Sequence, residues 1–343
     1  MKKVMIGMSG GVDSAVSAYL LKRDGYDVTG VTLRLCGENE SDASDAKAVA
    51  EKLGVAHTVD DMTNKFKDGV VEDFIKSYKK GETPNPCIVC NKRIKFGAML
   101  DYAIEHGMDY IATGHYARVV KNDDGRYLLL KALDESKDQS YVLYTLSQEV
   151  LSRVIFPLGE MTKGEARAIA EREGLINARK RDSQDICFVP DGDYAAFIER
   201  YTGESFPKGN FVDLNGKILG EHQGIIRYTI GQRKGLGIAL GRPAFVCRKD
   251  ARNNTVTLSD NEALFSDTVM VSKINWIPFD SLNSPLRVRA KIRYNMQAQP
   301  AIVEQIEPDL VRLKFDQPQR AVTPGQAAVF YDDDYIVGGG IIL

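Results

Sequence analysis

The chain of 343 residues, 43% hydrophobic and 27% charged, has enough apolar material for two or three separately cored domains and too much for a disordered one. Its 45 basic and 47 acidic side chains give a net charge of -2, which excludes a globally basic nucleic-acid binder, so any RNA contact has to be a local patch. Five scattered cysteines do not form the disulfide framework of a small secreted domain. With no apolar run of membrane length and no charged-then-apolar leader, a cytoplasmic protein without membrane attachment is expected.

From the N-terminus the runs "KKVMIGMS", "DVTGVTLRL", "AHTVDD" and "MDYIATGHY" read as short strands alternating with helical stretches. That order predicts βαβ units and a parallel sheet covered by helices. The helices include "SDASDAKAVAEKLG" and "TKGEARAIAEREGL". Thr162 and Glu165 have capping-box spacing, and the glycines Gly54 and Gly174 mark the two C-termini. Beyond residue 203 the pattern changes to short β-prone runs divided by Gly, Pro, Asn and Asp, as in "GIIRYTIGQRKGLGIAL", "AFVCRKDARNNTVTLSD" and "PLRVRAKIRYN". These predict small antiparallel sheets or barrels. The fold class is therefore α/β, with a catalytic domain over 1–202, a small central β domain over 203–265 and a C-terminal antiparallel β-barrel over 266–343.

The first strand runs into "GMSGGVDS", residues 7–14, and then a helix. Gly10 and Gly11 at the carboxyl edge of a parallel sheet, the helix N-terminus behind them and the hydroxyls of Ser9 and Ser14 make an anion site where ligands of open sheets bind. A plain strand-to-helix turn is the alternative. The lysine of the usual nucleotide triphosphatase loop is absent, which suits departing pyrophosphate better than a pinned terminal phosphate. Asp13 is a candidate partner for Mg²⁺, which prefers oxygen ligands. The string resembles the pyrophosphate-binding loop of the N-type ATP pyrophosphatases, which cleave ATP between its α and β phosphates.

"TPNPCIVCNKRIKF" places Cys87 and Cys90 after two prolines, at the entry to a helix expected near Asn91. The helix N-terminus and three cations, Lys92, Arg93 and Lys95, predict a low-pKa nucleophile at Cys90. A lone CxxC also fits half a zinc site, a redox pair or two packed thiols. Cys187, beside the basic run Arg179 to Arg181, is the remaining candidate thiol; Cys36 and Cys247 read as packing residues inside strands.

Taken together, SGGVDS (9–14), "TPNPCIVCNKRIKF" (83–96), "ATGHYAR" (112–118), "KDQSYVL" (137–143), "DSQDICFV" (182–189) and "YTIGQRKGLGI" (228–238) closely resemble the tRNA-specific 2-thiouridylases over the whole chain. The resemblance implies ATP binding by Gly7, Met8, Ser9, Gly10, Gly11, Val12, Asp13 and Ser14, with Leu33 and Gly114. It implies that the C2 oxygen of the wobble uridine, U34, attacks the α-phosphate. A persulfide on Cys187, charged by a cysteine desulfurase or sulfur-relay protein, then supplies sulfur, and Cys90 releases it with a Cys90–Cys187 disulfide left behind. The implied contacts to the target base and tRNA are Asn85, Pro86, Cys87, His115, Lys137, Asp138, Gln139, Arg293, Tyr294 and Gln326. Many family members have aspartate where this chain has Cys87. Cys87, Cys90 and Cys187 are thus also a candidate ligand set for an iron–sulfur cluster.

The other basic feature is the alternation of Arg287, Arg289, Lys291 and Arg293 with Val288, Ala290, Ile292 and Tyr294. As a strand it sets four cations on one face, either merely solvated or tracking a phosphate backbone. Arg233 and Lys234 are a second phosphate contact or part of a Gly-rich hairpin. His57 and His106 read as element-edge residues, His115 as part of the site. Two rival functions are an adenylating ligase of the same superfamily acting on a small carboxylate or amide, and a non-catalytic tRNA- or nucleotide-binding module.

Overall fold

The structure is a computed structural model that describes residues 1–36, 40–175 and 186–343, and at 40–42 the backbone only. The first domain alternates strand and helix: β1 (Lys3–Gly7), α1 (Val12–Arg23), β2 (Asp27–Arg34), α2 (Glu40–Leu53) and β3 (Ala56–Asp61). There follow α3 (Thr63–Phe66) and α4 (Glu72–Lys79), then α5 (Pro86–Cys90) and α6 (Met99–Glu105), each pair joined by a wide π-type segment, Lys67–Val71 and Asn91–Ala98. After β4 (Tyr110–Ala112) come the hairpin β5 (Arg118–Lys121) and β6 (Tyr127–Leu130), α7 (Gln148–Arg153), β7 (Val154–Ile155), α8 (Lys163–Arg172) and α9 (Tyr194–Thr202).

Strands β3-β2-β1-β4-β7 form one parallel sheet in that order. Its two faces explain why "VMI" is apolar without alternation. Val4 and Ile6 pack with α1, α2 and α8, whereas Met5 points to the opposite face with Phe66, Phe74, Ile94 and Met99. Strands buried on both sides have to read as continuous apolar runs. The capping box of α8 is present, Thr162 Oγ1 accepting the Glu165 N–H at 3.2 Å while the Glu165 carboxylate accepts the Thr162 N–H at 2.7 Å. Caps of this type contribute about 1 kcal/mol each.

The central sheet contains β8 (Gly209–Val212), β9 (Ile218–His222), β10 (Phe245–Asp250) and β11 (Thr255–Ser259) in the order β10-β11-β8-β9. It is not purely antiparallel as expected: two hairpins meet through a parallel β11–β8 pair. The run 228–244 is neither strand nor hairpin but irregular chain. Its glycines 231, 235, 237 and 241 all have φ between 68° and 88°, a left-handed backbone that no extended strand tolerates.

The last domain is built from β12 (Phe265–Trp276), β13 (Leu286–Lys291), β14 (Gln299–Glu307), β15 (Leu310–Arg320), β16 (Ala327–Asp332) and β17 (Tyr335–Ile342). The order β12-β15-β14-β13-β16-β17 returns to β12, closing an antiparallel barrel. Val271, Val288, Ala290, Val303, Leu313 and Phe330 fill it. The β5–β6 hairpin of the first domain joins its wall at Leu130–Tyr335.

Candidate active site

The loop after β1 takes the strand–turn–helix course expected from the sequence, with one addition. Gly10 takes φ 69°, the turn that lets the chain enter α1. Ser14 Oγ accepts the Ser9 N–H at 3.2 Å and donates to the Gly11 carbonyl at 3.1 Å, so the loop is closed on itself before any ligand arrives. Met8 and Val12 are buried in the core and Gly7 backs onto Met99, which leaves their backbone, not their side chains, for a nucleotide. Leu33 is half-buried on β2. Gly114 lies against the loop from below: a Cβ there would sit 2.8 Å from the Asp13 carbonyl carbon and 2.9 Å from the Ser14 nitrogen.

The addition is a lysine. Lys163, the first residue of α8, places Nζ 2.8 Å from both Asp13 oxygens, and the Tyr116 hydroxyl donates to Asp13 Oδ1 at 3.0 Å. Lys163 is 8% exposed, and its backbone N–H is held by Asp134 Oδ2 at 3.0 Å. A lysine thus reaches the loop from a helix 150 residues downstream. The capping box marks where that helix starts, but nothing in the sequence shows that its first side chain reaches Asp13. Asp13, expected to face Mg²⁺, is engaged by this lysine.

The cysteine segment differs from expectation in three ways. The helix begins at Pro86, not near Asn91, because Asn85 caps it by accepting the Cys87 N–H at 3.1 Å and proline fits the first turn. The helix N-terminus therefore belongs to Cys87, and Cys90 sits one turn further in. Second, of the three expected cations only Lys95 acts on the thiols; Arg93 turns away to the Gly69 carbonyl at 2.8 Å and to Asp73, and Lys92 is exposed. Third, Cys90 is not a low-pKa thiol. Burial raises its pKa above the ordinary 9.0, Lys95 opposes, and Cys87 and Cys36 add repulsion. Cys87 and Cys187 reach solvent, but the packed atoms around them still desolvate the thiols, raising Cys87 and pushing Cys187 up to about 12, with Cys36, Cys90 and Cys87 contributing. Desolvation outweighs one partly screened cation.

These couplings bring together residues far apart in sequence. Cys36, Cys87 and Cys90 all act on Cys187, and Lys95 acts on the three thiols and on His115, beside Gly114. His115 is buried between Phe96 and Phe156 and shares a 2.7 Å hydrogen bond with Thr113. Burial first, and Lys95 second, hold its pKa well below 6.5, so it is a neutral imidazole. Cys36 lies two residues past β2 and packs half-buried against the core, near the other thiols as well as serving packing. Cys247 is half-buried on β10 with Sγ toward the Thr257 carbonyl. All five cysteines are free. Among the described residues no three His, Cys, Asp or Glu side chains stand together as a metal site, so Cys87, Cys90 and Cys187 are not arranged as the cluster ligand set. The basic run 179–181 lies outside the described residues.

The expected RNA contacts are mostly engaged with the protein. Asp138 accepts from Ser140 and the Ala132 N–H, and Gln139 holds the Tyr116 N–H at 3.0 Å; Lys137, beside them, is half-buried. Tyr294 donates to the Asp138 carbonyl at 3.3 Å. In the barrel, Val288, Ala290 and Ile292 are buried as the alternation requires, but the four cations do not form one free face. Arg287 pairs with Asp316, Arg289 donates to the Ala298 carbonyl, Lys291 lies over the Tyr331 ring and Arg293 turns to Ala321 and Thr323. Arg233 lines an open cavity of about 710 Å³ with Leu236, Ile238, Leu240 and Arg242. His57 bonds Thr32 at 2.9 Å and His106 the Tyr102 carbonyl at 2.8 Å.

Comparison with known proteins agrees with this architecture. A family model described as a tRNA methyl transferase HUP domain matches residues 2–191, a PRC-barrel domain of that family matches 195–260, and an aminomethyltransferase β-barrel domain matches 266–342. The tRNA-specific 2-thiouridylase MnmA of Lachnoclostridium phytofermentans is 48% identical over 356 residues, covering 100% of both chains. The chain belongs to the tRNA-specific 2-thiouridylase family. The proteins of the same name from Clostridium acetobutylicum and Treponema denticola are each 49% identical, over 99% of this chain and 99% and 97% of theirs. The family assignment covers all three domains, the Ser9–Ser14 loop and the thiol segment alike. No described helix is long and apolar enough to cross a membrane.

Proposed function

We propose that the protein uses ATP to replace the C2 oxygen of U34 in tRNA by sulfur. The observation that carries this reading is the convergence on Lys95: one cation acts on Cys87, Cys90 and Cys187 and also on His115, next to the glycine that underlies the Ser9–Ser14 loop. A nucleotide site and a sulfur site thus share one sheet edge, where an activated oxygen and an incoming sulfur have to meet.

In this reading the backbone of 7–14 with Ser9 and Ser14 holds the phosphates of ATP, and Leu33 and Gly114 border the nucleoside. Mg²⁺ arrives with ATP and neutralises phosphate charge. Lys163 is the cation for the pyrophosphate that leaves when the uridine O2 bonds to the α-phosphorus. Adenylation converts a poor leaving oxygen into a phosphate ester. The terminal sulfur of a Cys187 persulfide, loaded by a cysteine desulfurase or relay protein, bonds to C2. Cys90 then attacks Cys187 Sγ, the S–S bond to the transferred sulfur breaks with its electron pair left on the sulfur at C2, AMP departs, and a Cys90–Cys187 disulfide remains for a two-electron thiol reductant. Asn85, Pro86 and Cys87 border the base, with His115 as a neutral wall behind it. Lys137 to Gln139, Arg293, Tyr294 and Gln326 line the RNA path. The setting is the cytoplasm.

The test is mass analysis of tRNA incubated with the protein, ATP, Mg²⁺ and a desulfurase with cysteine. One O-to-S exchange is expected, with AMP and pyrophosphate. With Cys187→Ser, AMP should still form without thiolation; full thiolation by that variant sinks the persulfide assignment. Pyrophosphate release without RNA would point instead to a small-molecule ligase.

A further inference from the structure

One of the expected RNA contacts, Gln326, ties the barrel to the segment carrying the thiols, and two others, Arg293 and Tyr294, brace the barrel turn and reach Asp138. Gln326, on the turn between β15 and β16, donates from Nε2 to the Thr83 carbonyl at 2.6 Å, and the Thr83 N–H donates to the Pro324 carbonyl at 2.9 Å. These two bonds clip the barrel turn to the chain two residues before Asn85, the cap of the Cys87 and Cys90 helix. Between them Gly325 has φ +88°, and a Cβ there would come within 2.9 Å of Glu82 Cβ and 3.0 Å of the Thr83 nitrogen. The two backbones are in direct contact with no room for a side chain. Gln326 is itself fixed from behind: its N–H donates to the Thr323 carbonyl at 3.2 Å, and its carbonyl accepts the Ile342 N–H at 2.8 Å. Arg293 braces the same turn, donating to Ala321 O at 2.6 Å and Thr323 Oγ1 at 2.8 Å. Tyr294 reaches the Asp138 carbonyl, so the braces end on both segments of the first domain expected to meet RNA.

We propose that Gln326 is a positioning residue of the thiolation site, holding the 83–87 segment at the height the target base requires through the Thr83 carbonyl. The proposal rests on the tRNA-uridine reading above and adds to it a division of labour: the barrel turn sets geometry for the reaction and does not only bind RNA. The physical reason lies in the segment's composition. Pro84 and Pro86 have no N–H to give, so between Glu82 and Cys87 few backbone donors remain to hold the chain, and the clip supplies the tie that the prolines remove. The helix that follows is only five residues long before it widens, and an error at Thr83 carries directly to Cys87 and Cys90.

Position and binding separate kinetically. Loss of an interaction that serves only RNA binding raises KM for tRNA at constant kcat, whereas misplacement by about 1 Å costs up to about 10²-fold in kcat. Gln326→Glu keeps the side chain's shape, removes the donor and sets a carboxylate against the Thr83 carbonyl. Two measurements follow. Amide exchange of Thr83 in the free protein should speed up by about tenfold or more, while barrel amides such as Val311 stay protected. In the tRNA-dependent AMP assay, kcat should fall by about 10- to 100-fold, a larger change than any in KM for tRNA. Gln326→Lys, which restores a long donor, should recover most of both effects. Unchanged exchange at Thr83, loosening of the whole barrel, or a raised KM at unchanged kcat each overturns the proposal. Should the parent protein form no AMP with tRNA, the reading of the function fails, and Thr83 exchange alone still decides whether Gln326 holds the segment.

Discussion

Two ion pairs show how differently the two ends of this molecule use the same chemistry. Lys163 and Asp13, 11% and 30% exposed, meet at the open carboxyl edge of the parallel sheet; Arg287 and Asp316, 59% and 42% exposed, meet on the outer wall of the closed barrel. A parallel sheet ends in a row of loops and helix starts, so polar groups placed there face a ligand. A closed barrel has no edge to offer, so its polar groups either face solvent or brace neighbouring loops. The difference predicts where substitutions hurt.

The largest loss should follow Gly114→Ala. The added carbon overlaps the Asp13–Ser14 backbone and displaces the loop, so pyrophosphate release should drop by about 10²-fold or more while stability falls by only about 1–3 kcal/mol. Normal turnover by this variant would show that the loop does not hold the reacting phosphates. Next comes Lys163→Met, expected to slow adenylation by about 10²-fold. It also leaves Asp13 with the Tyr116 hydroxyl but no cation, a loss of about 2 kcal/mol, below the range for a fully buried pair. Adding Asp13→Asn should restore the stability and not the rate, a result read by a double-mutant cycle of melting and kinetics.

The thiols give a pH-dependent test of the same edge. Because burial raises the pKa of Cys90, and desolvation by the neighbouring packed atoms brings the solvent-reached Cys187 to about 12, each acid keeps its proton to higher pH in the folded chain than in the unfolded one. Alkylation should therefore be slow at pH 7 and climb as pH rises beyond 9. The contribution of Cys187 to stability is full below the ordinary thiol value of 9.0 and is lost as pH rises toward about 12. Lys95→Gln removes the opposing cation found among the described residues and should move both alkylation profiles further up, as mass-resolved labelling would record. At the barrel, by contrast, Arg287→Ala should change stability by no more than about 1 kcal/mol and leave turnover unchanged. Smallest is Ser17→Ala in α1. Its hydroxyl is fully buried without a hydrogen-bond partner, so removal should be neutral or stabilising by about 1 kcal/mol in a denaturant titration.

Where signals are local, the sequence was readable. The apolar run into Gly10 announced the strand, loop and helix; Thr162 and Glu165 announced the start of α8; alternation along 286–292 announced a barrel strand. Where a local signal had two meanings, reading failed. The run 228–244 carries apolar residues between its glycines, yet its positive-φ glycines make it irregular. Asn85 and Pro86 were a helix start, but the basic residues after Cys90 drew the expected start downstream and with it the wrong estimate of that thiol's acidity.

Sequence alone determined the family, the order of a parallel-sheet domain, a small β domain and a barrel, and the strand–loop–helix course of residues 3–23, because each is encoded by neighbours along the chain. Tertiary structure decided what those residues experience. Lys163 meets Asp13 across 150 residues and Gln326 meets Thr83 across 243, pairings that no local pattern encodes. Burial, which only the packed chain defines, reversed the expected acidity of Cys90, since desolvation acts through every atom that surrounds a thiol and not only through those next to it in sequence.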